Sequence, residues 1–144
     1  TARLVTEAET PPLDAGAVRH LEEVLAVRGP STEALAEFRA IAAETPGLTP
    51  AIDRFEARLA ALDAAGIPPE ALPFEASFGR TTLEYYDGFV FGALARNRPD
   101  LPPLASGGRY DALTRVLGGG RPMSAVGGII RPEALLAAAG EGAP

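Results

Sequence analysis

The apolar residues of this 144-residue chain change their spacing once, across residues 67–73. Before that stretch they recur every three or four positions; after it they alternate. A period near 3.6 lines up side chains on one face of a helix, and a period of two lines them up on one face of a strand. The stretch itself, Ile67-Pro68-Pro69-Glu70-Ala71-Leu72-Pro73, is proline-rich and reads as a rigid linker. The expected fold is therefore α+β: a helical N-terminal part, then a largely antiparallel sheet with flanking helices. The expected segments are residues 1–66 for the helices and 74–144 for the sheet.

Three helices are legible. Asp14 opens the first, with Val18, Leu21, Val24 and Leu25 on one face and Gly29-Pro30 as its stop. Ser31 or Thr32 is the expected cap of the second, which carries Leu35, Phe38 and Ile41 and breaks at Thr45-Pro46-Gly47. Thr49 is the expected cap of the third, with Pro50 in its first turn, a stripe of Ile52, Phe55, Leu59 and Leu62, and Gly66 as its close. These faces hold no polar constellation and read as scaffold and interaction surface.

Residues 74–78 alternate as a half-buried strand should. Leu83-Glu84-Tyr85-Tyr86 and Phe89-Val90-Phe91 then flank Asp87-Gly88, which reads as a hairpin turn. Leu104-Ala105-Ser106 leads into Gly107-Gly108-Arg109-Tyr110-Asp111, expected to be a two-glycine turn that starts a helix over residues 110–117. A last strand is expected over residues 123–130 and an alanine-rich helix from Pro132 to Ala139. The hairpin and the glycine turn carry all three tyrosines, so one cavity faced by both would be lined by phenol rings and close backbone.

Composition removes several function classes. There is no cysteine, hence no disulfide and no thiolate chemistry. The single histidine, His20, is expected at the surface, and no metal site is expected. The net charge is −6 and every basic residue is an arginine dispersed among carboxylates, so neither nucleic acid nor a membrane is an expected partner. No apolar run reaches spanning length and no signal-peptide pattern opens the chain, which makes the cytoplasm the expected location. The start at Thr1, without methionine, leads to the expectation that the residues are part of something longer.

Taken singly, the polar features have structural readings. Gly107-Gly108 could cradle an anion on free amides, but no Gly-Lys-Ser/Thr follows, and a tight turn is the simpler account. Tyr85 and Tyr86, as strand neighbours, point to opposite faces. Glu84 shares the face of Tyr86 and is either an amine ligand or a solvated residue. Asp111 is expected to cap a helix, with Arg109 as an ion-pair partner for it or for a carboxylate across the sheet. No Ser/His/Asp set or paired-carboxylate spacing stands out.

Together the two stretches are more specific. The order Leu-acid-Tyr-Tyr-x-x-x-Val-Phe, then Gly-Gly-Arg-Tyr-Asp-x-Leu, then Leu-Gly-Gly and Ala-Val-Gly, resembles the catalytic-domain core of histidyl-tRNA synthetase. It is still more similar to a paralogous family, the regulatory subunits of ATP phosphoribosyltransferase. The resemblance covers roughly residues 74–139, and residues 14–66 fit the family's helical insertion by position and class. It implies a class II synthetase-like core. Departures decide between the relatives. The synthetase pattern Arg-Gly-Leu-Asp-Tyr-Tyr falls on Thr81-Thr82-Leu83-Glu84-Tyr85-Tyr86, so the catalytic arginine position holds Thr81, with Arg80 one residue away and on the other strand face. The pattern Gly-Leu-Glu-Arg falls on Arg131-Pro132-Glu133-Ala134, so the ATP-clamping arginine is Ala134, and a methyl group cannot replace a bidentate guanidinium.

The resemblance thus implies a non-catalytic protein that can hold a histidine-like ligand without adenylating it. It implies a regulatory subunit that supports the short catalytic subunit, mediates histidine feedback in the first step of histidine biosynthesis, and belongs to a glycosyltransferase complex. The expected partners are that catalytic subunit, histidine as effector and, in the full-length protein, a further copy of itself; no cofactor is expected. The implied ligand contacts are Tyr86 and Tyr110, then Glu84, Gly107 and Gly108. The effector site is either this former amino-acid pocket or a subunit interface. The competing expectations are a fragment of a divergent histidyl-tRNA synthetase and an α+β interaction domain without a ligand.

Overall fold

The computed structural model describes residues 13–79, 86–121 and 123–140. The chain divides into two compact units, one ending at Ser77 and the other beginning at Phe78.

The first unit contains α1 (Ala15–Ala26), β1 (Arg28–Pro30), α2 (Ser31–Glu44), α3 (Thr49–Ala64) and β2 (Pro73–Glu75). The Asp14 carboxylate caps α1 as expected, accepting from the Ala17 N–H at 2.9 Å. The other two caps differ. Ser31 and Thr49 are the first residues of their helices, and neither helix has a side-chain cap bond. Ser31 is buried, and its N–H and its hydroxyl both donate to the Leu72 carbonyl at 2.9 Å. The reason is a pairing between segments far apart in sequence: β1 and β2 run antiparallel with Pro30 opposite Pro73, which brings Leu72 to the start of α2. Gly29-Pro30, expected only to stop a helix, is thus part of a ribbon that also takes the first residues of the expected 74–78 strand. Gly66 does close α3, with φ of +79°.

Val27, Ala34, Phe55 and Leu59 form the buried centre of this unit. Phe38, Phe55 and Phe74 make an aromatic triad, with Phe38 edge-on to Phe55 at 6.1 Å and to Phe74 at 5.6 Å. These edge-to-face geometries are favourable for aromatic quadrupoles, and the triad joins α2, α3 and β2. His20 is less exposed than expected: its side chain is 26% accessible, with Nε2 3.6 Å from a Glu44 carboxylate oxygen.

The second unit contains β3 (Val90–Ala93), β4 (Ala105–Arg109), α4 (Asp111–Leu117), β5 (Val126–Ile130) and α5 (Pro132–Ala139). The three strands form one antiparallel sheet in the order β3-β4-β5. Helices and antiparallel sheets are as expected, but two local readings change. Asp87-Gly88 is not a hairpin turn: the Asp87 N–H donates to the Arg109 carbonyl at 3.1 Å, so the chain already runs beside β4 there. Gly107-Gly108 is not a turn either. Both residues are buried in the central strand, and neither has a positive φ. Residues 83–85 of the expected hairpin lie outside the described residues.

The loop from β3 to β4 is tied to the C-terminal end of α5. The Arg98 guanidinium donates to the Ala137 carbonyl at 3.0 Å while paired with Asp100, placing a cation where the helix dipole is negative. Arg131, at the junction of β5 and α5, donates to the Pro103 carbonyl at 2.9 Å and to Ser106 Oγ at 3.1 Å.

Candidate functional site: a tyrosine face over paired glycines

The register of the sheet sets Phe91 opposite Gly107, and Gly107 opposite Gly128; one position on, it sets Gly108 opposite Gly127. Directly opposed residues of an antiparallel pair share a face, and consecutive residues alternate. The two glycine pairs therefore present their missing side chains to opposite faces. Rings fill both. On one face the Phe91 ring reaches to 2.7 Å from where a Gly107 Cβ would stand and 3.1 Å from that of Gly128. On the other, Tyr86 Cδ1 lies 2.8 Å from the Cβ position of Gly108, and the Tyr110 hydroxyl lies 2.8 Å from that of Gly127. The two phenol rings are neighbours, 6.3 Å apart between centroids and inclined at 51°. The product is a pair of aromatic surfaces laid on bare strand backbone, each ending in a hydroxyl that can donate and accept.

A hydrogen-bond network surrounds the rings. Tyr110 stands at the cap position of α4, where it makes no side-chain cap bond. The first N–H groups of a helix need acceptors, and here they come from the segment before β3. Asp87 accepts from the Asp111 N–H at 3.0 Å and from the Ala112 N–H at 2.6 Å. Asp111, expected to cap the helix, instead accepts from the Ala125 N–H at 2.8 Å and from Arg109 Nε at 2.9 Å. Arg109 also reaches Ser124 Oγ at 3.1 Å. The Ala125 N–H, and after it the Arg109 guanidinium, hold the Asp111 carboxyl below its ordinary value.

Tyr86, Tyr110 and Gly108 are thus brought together. Gly107 is adjacent in the strand but turned to the Phe91 face, and Glu84 lies outside the described residues. Asp87 is the residue that sequence reasoning missed, being taken for a turn. The signal for it was Tyr110 itself: a helix that starts behind a tyrosine lacks a local capping side chain and needs an acceptor from elsewhere.

A family model described as histidyl-tRNA synthetase matches residues 2–135, and the chain belongs to that family. The resemblance read over residues 74–139 therefore extends through the helical part. Within the curated proteins, the chain is similar to the ATP phosphoribosyltransferase regulatory subunits of Brucella canis, Brucella suis and Brucella melitensis, at 40% identity over 129 residues in each case. Each match takes in 88% of this chain and 34% of the relative, so the chain spans about a third of the length of these curated relatives. Their name specifies phosphoribosyl transfer, which replaces the glycosyltransferase description expected above. No solved structure matches the chain. Among the described residues, no helix is long and apolar enough to cross a membrane.

Proposed function

We propose that the protein is a non-catalytic regulatory subunit of ATP phosphoribosyltransferase, and that it supports a short catalytic subunit and conveys feedback by histidine. The observation that carries this reading is the 40% identity, over 88% of the chain, to regulatory subunits. The local chemistry supports it. The tyrosine face suits a flat, polar, aromatic ligand such as the imidazole of histidine, which can stack on a phenol ring and bond to a hydroxyl. Glu84 is the proposed partner for its amine, and the backbone at Gly107 and Gly108 the proposed floor of the site. Ala134, in the position assigned to the synthetase's ATP-clamping arginine, is buried and offers a phosphate nothing. Arg131, the nearest guanidinium in sequence, is engaged by Pro103 and Ser106. The sheet and helices of the second unit then correspond to part of a class II synthetase-like core, and the helices of the first unit to the family's insertion. Residues 1–66 and 74–144 are the proposed limits of these two parts.

The test is phosphoribosyl-ATP formation by a short catalytic subunit of the same source, with and without this protein, followed by addition of histidine. The expected result is stimulation that histidine reverses. A Tyr110→Ala variant should stimulate but escape reversal. No stimulation and no complex would sink the reading. The family match also fits a divergent histidyl-tRNA synthetase, for which histidine-dependent ATP–pyrophosphate exchange is the distinguishing result.

A further inference from the structure

The two tyrosines of the candidate site are not held by their own side chains alone. Each is flanked in sequence by an aspartate whose carboxylate bonds backbone from a different element. Asp87, next to Tyr86, accepts from the Asp111 and Ala112 N–H groups at the start of α4. Asp111, next to Tyr110, accepts from the Ala125 N–H just before β5, and Ala125 in turn accepts from the Tyr110 N–H at 3.0 Å. The Asp87 N–H closes the loop on the Arg109 carbonyl. Three chain segments, one before β3, one between β4 and α4, and one before β5, are thereby cross-tied by two carboxylates. Both rings sit inside that tie, each against a glycine that leaves no space to spare.

We infer that Asp87 and Asp111 are the positioning residues of the tyrosine face, setting the Tyr86–Tyr110 spacing that a ligand meets. The inference rests on the proposed function only for the identity of the ligand. The geometry explains why two carboxylates are needed. A tyrosine at a helix cap cannot satisfy the helix N–H groups, so without Asp87 the first turn of α4 loses both acceptors at once. Without Asp111 the segment before β5 loses one of its ties to that turn, the one that satisfies the Ala125 N–H. Either loss leaves Tyr110 with its backbone bond to Ala125 but without a carboxylate tie, which loosens the spacing between the Tyr86 and Tyr110 rings. Preorganised sites depend on such supporting residues, because small displacements of a contact group cost binding steeply.

The chain has three tyrosines and no tryptophan, so near-ultraviolet circular dichroism reports their order, and the difference between wild type and Tyr110→Ala gives the share that comes from the site. The experiment compares the wild-type full chain with Asp87→Ala, Asp87→Asn and Tyr110→Ala, using L-histidine as the calorimetric probe. In Asp87→Ala, the tyrosine dichroism should largely vanish while the far-ultraviolet helical signal stays, and histidine binding should weaken about tenfold. Asp87→Asn keeps one acceptor oxygen and should recover part of both. Unchanged tyrosine dichroism in Asp87→Ala would overturn the inference. So would lost binding with the ring signal intact, since Asp87 would then be a ligand contact. If Asp87→Ala does not fold, Asp87→Asn decides: it leaves one helix N–H without an acceptor, and a ring signal equal to wild type would end the proposal. If the wild type binds no histidine yet Asp87→Ala still loses its ring signal, the positioning role stands and the histidine reading falls. Tyr110→Ala separates the two, because it removes a ring from the site and leaves both carboxylates in place.

Discussion

At Gly107 a methyl group has no room. Its Cβ would collide with the Gly127 carbonyl oxygen and stand 2.7 Å from Gly128 Cα, both backbone atoms that cannot turn aside. Gly107→Ala is therefore expected to destabilise the second unit by roughly 1–3 kcal/mol or more. Gly47→Ala is the control: nothing lies within 4 Å of its Cβ position, and its φ is not positive, so stability should be unchanged or slightly higher. Urea denaturation of both variants checks the contrast. Asp111 makes a pH prediction. Its carboxyl is lowered from an ordinary value of 3.8, by the Ala125 N–H and then by Arg109. A lowered folded-state value means that the contribution is present above 3.8 and is lost as the pH falls through the folded value. Tyrosine dichroism should hold steady on acidification until below that point and then decline. Asp111→Asn should remove this part of the acid dependence, so the difference between the two titrations isolates it. Gly107 and Gly108 show how far residue identity is legible. That they are needed is plain from the sequence; that they relieve crowding inside a strand, and not a turn, depends on what packs across them.

Helix α1 has a clear apolar stripe, yet none of its residues is buried, and Leu21 remains 50% exposed. Periodicity reports which face can be buried, not how deeply it is. Its end is held by Asp14, so Asp14→Ala should cost about 1 kcal/mol. Amide exchange should accordingly be fastest in α1 among the three helices of the first unit, and faster still in that variant. Helix α3 is the opposite case. Ile52, Phe55 and Leu59 of its predicted stripe are buried, and Phe55 joins the aromatic triad. Phe55→Ala should cost about 3–5 kcal/mol, measured by thermal melting of the helical signal. Elements with a strong local period were legible to within a few residues. The short β1–β2 ribbon was not, because three-residue strands carry no usable period and their pairing joins residues 28–30 to 73–75.

The two units carry separate reporters. All three tyrosines fall after Ser77, whereas the aromatic triad of phenylalanines falls before it. Phe55→Ala should therefore lower the midpoint of the far-ultraviolet transition more than that of tyrosine dichroism, and Gly107→Ala should do the reverse. Coincident shifts in both variants would mean that the units unfold as one. The sequence by itself determined the order of helices and sheet, the membership of the histidyl-tRNA synthetase family and the tyrosines of the candidate site, because period, turn chemistry and motif order are properties of neighbouring residues. Only the tertiary structure decided which glycine faces the tyrosines, that Asp87 caps α4 from the segment before β3, and that Ser31 bonds to Leu72 instead of capping its helix. The first follows from strand register; in the other two a backbone group with no acceptor nearby in sequence is satisfied by one that folding brings within 3 Å, and no local pattern encodes that meeting.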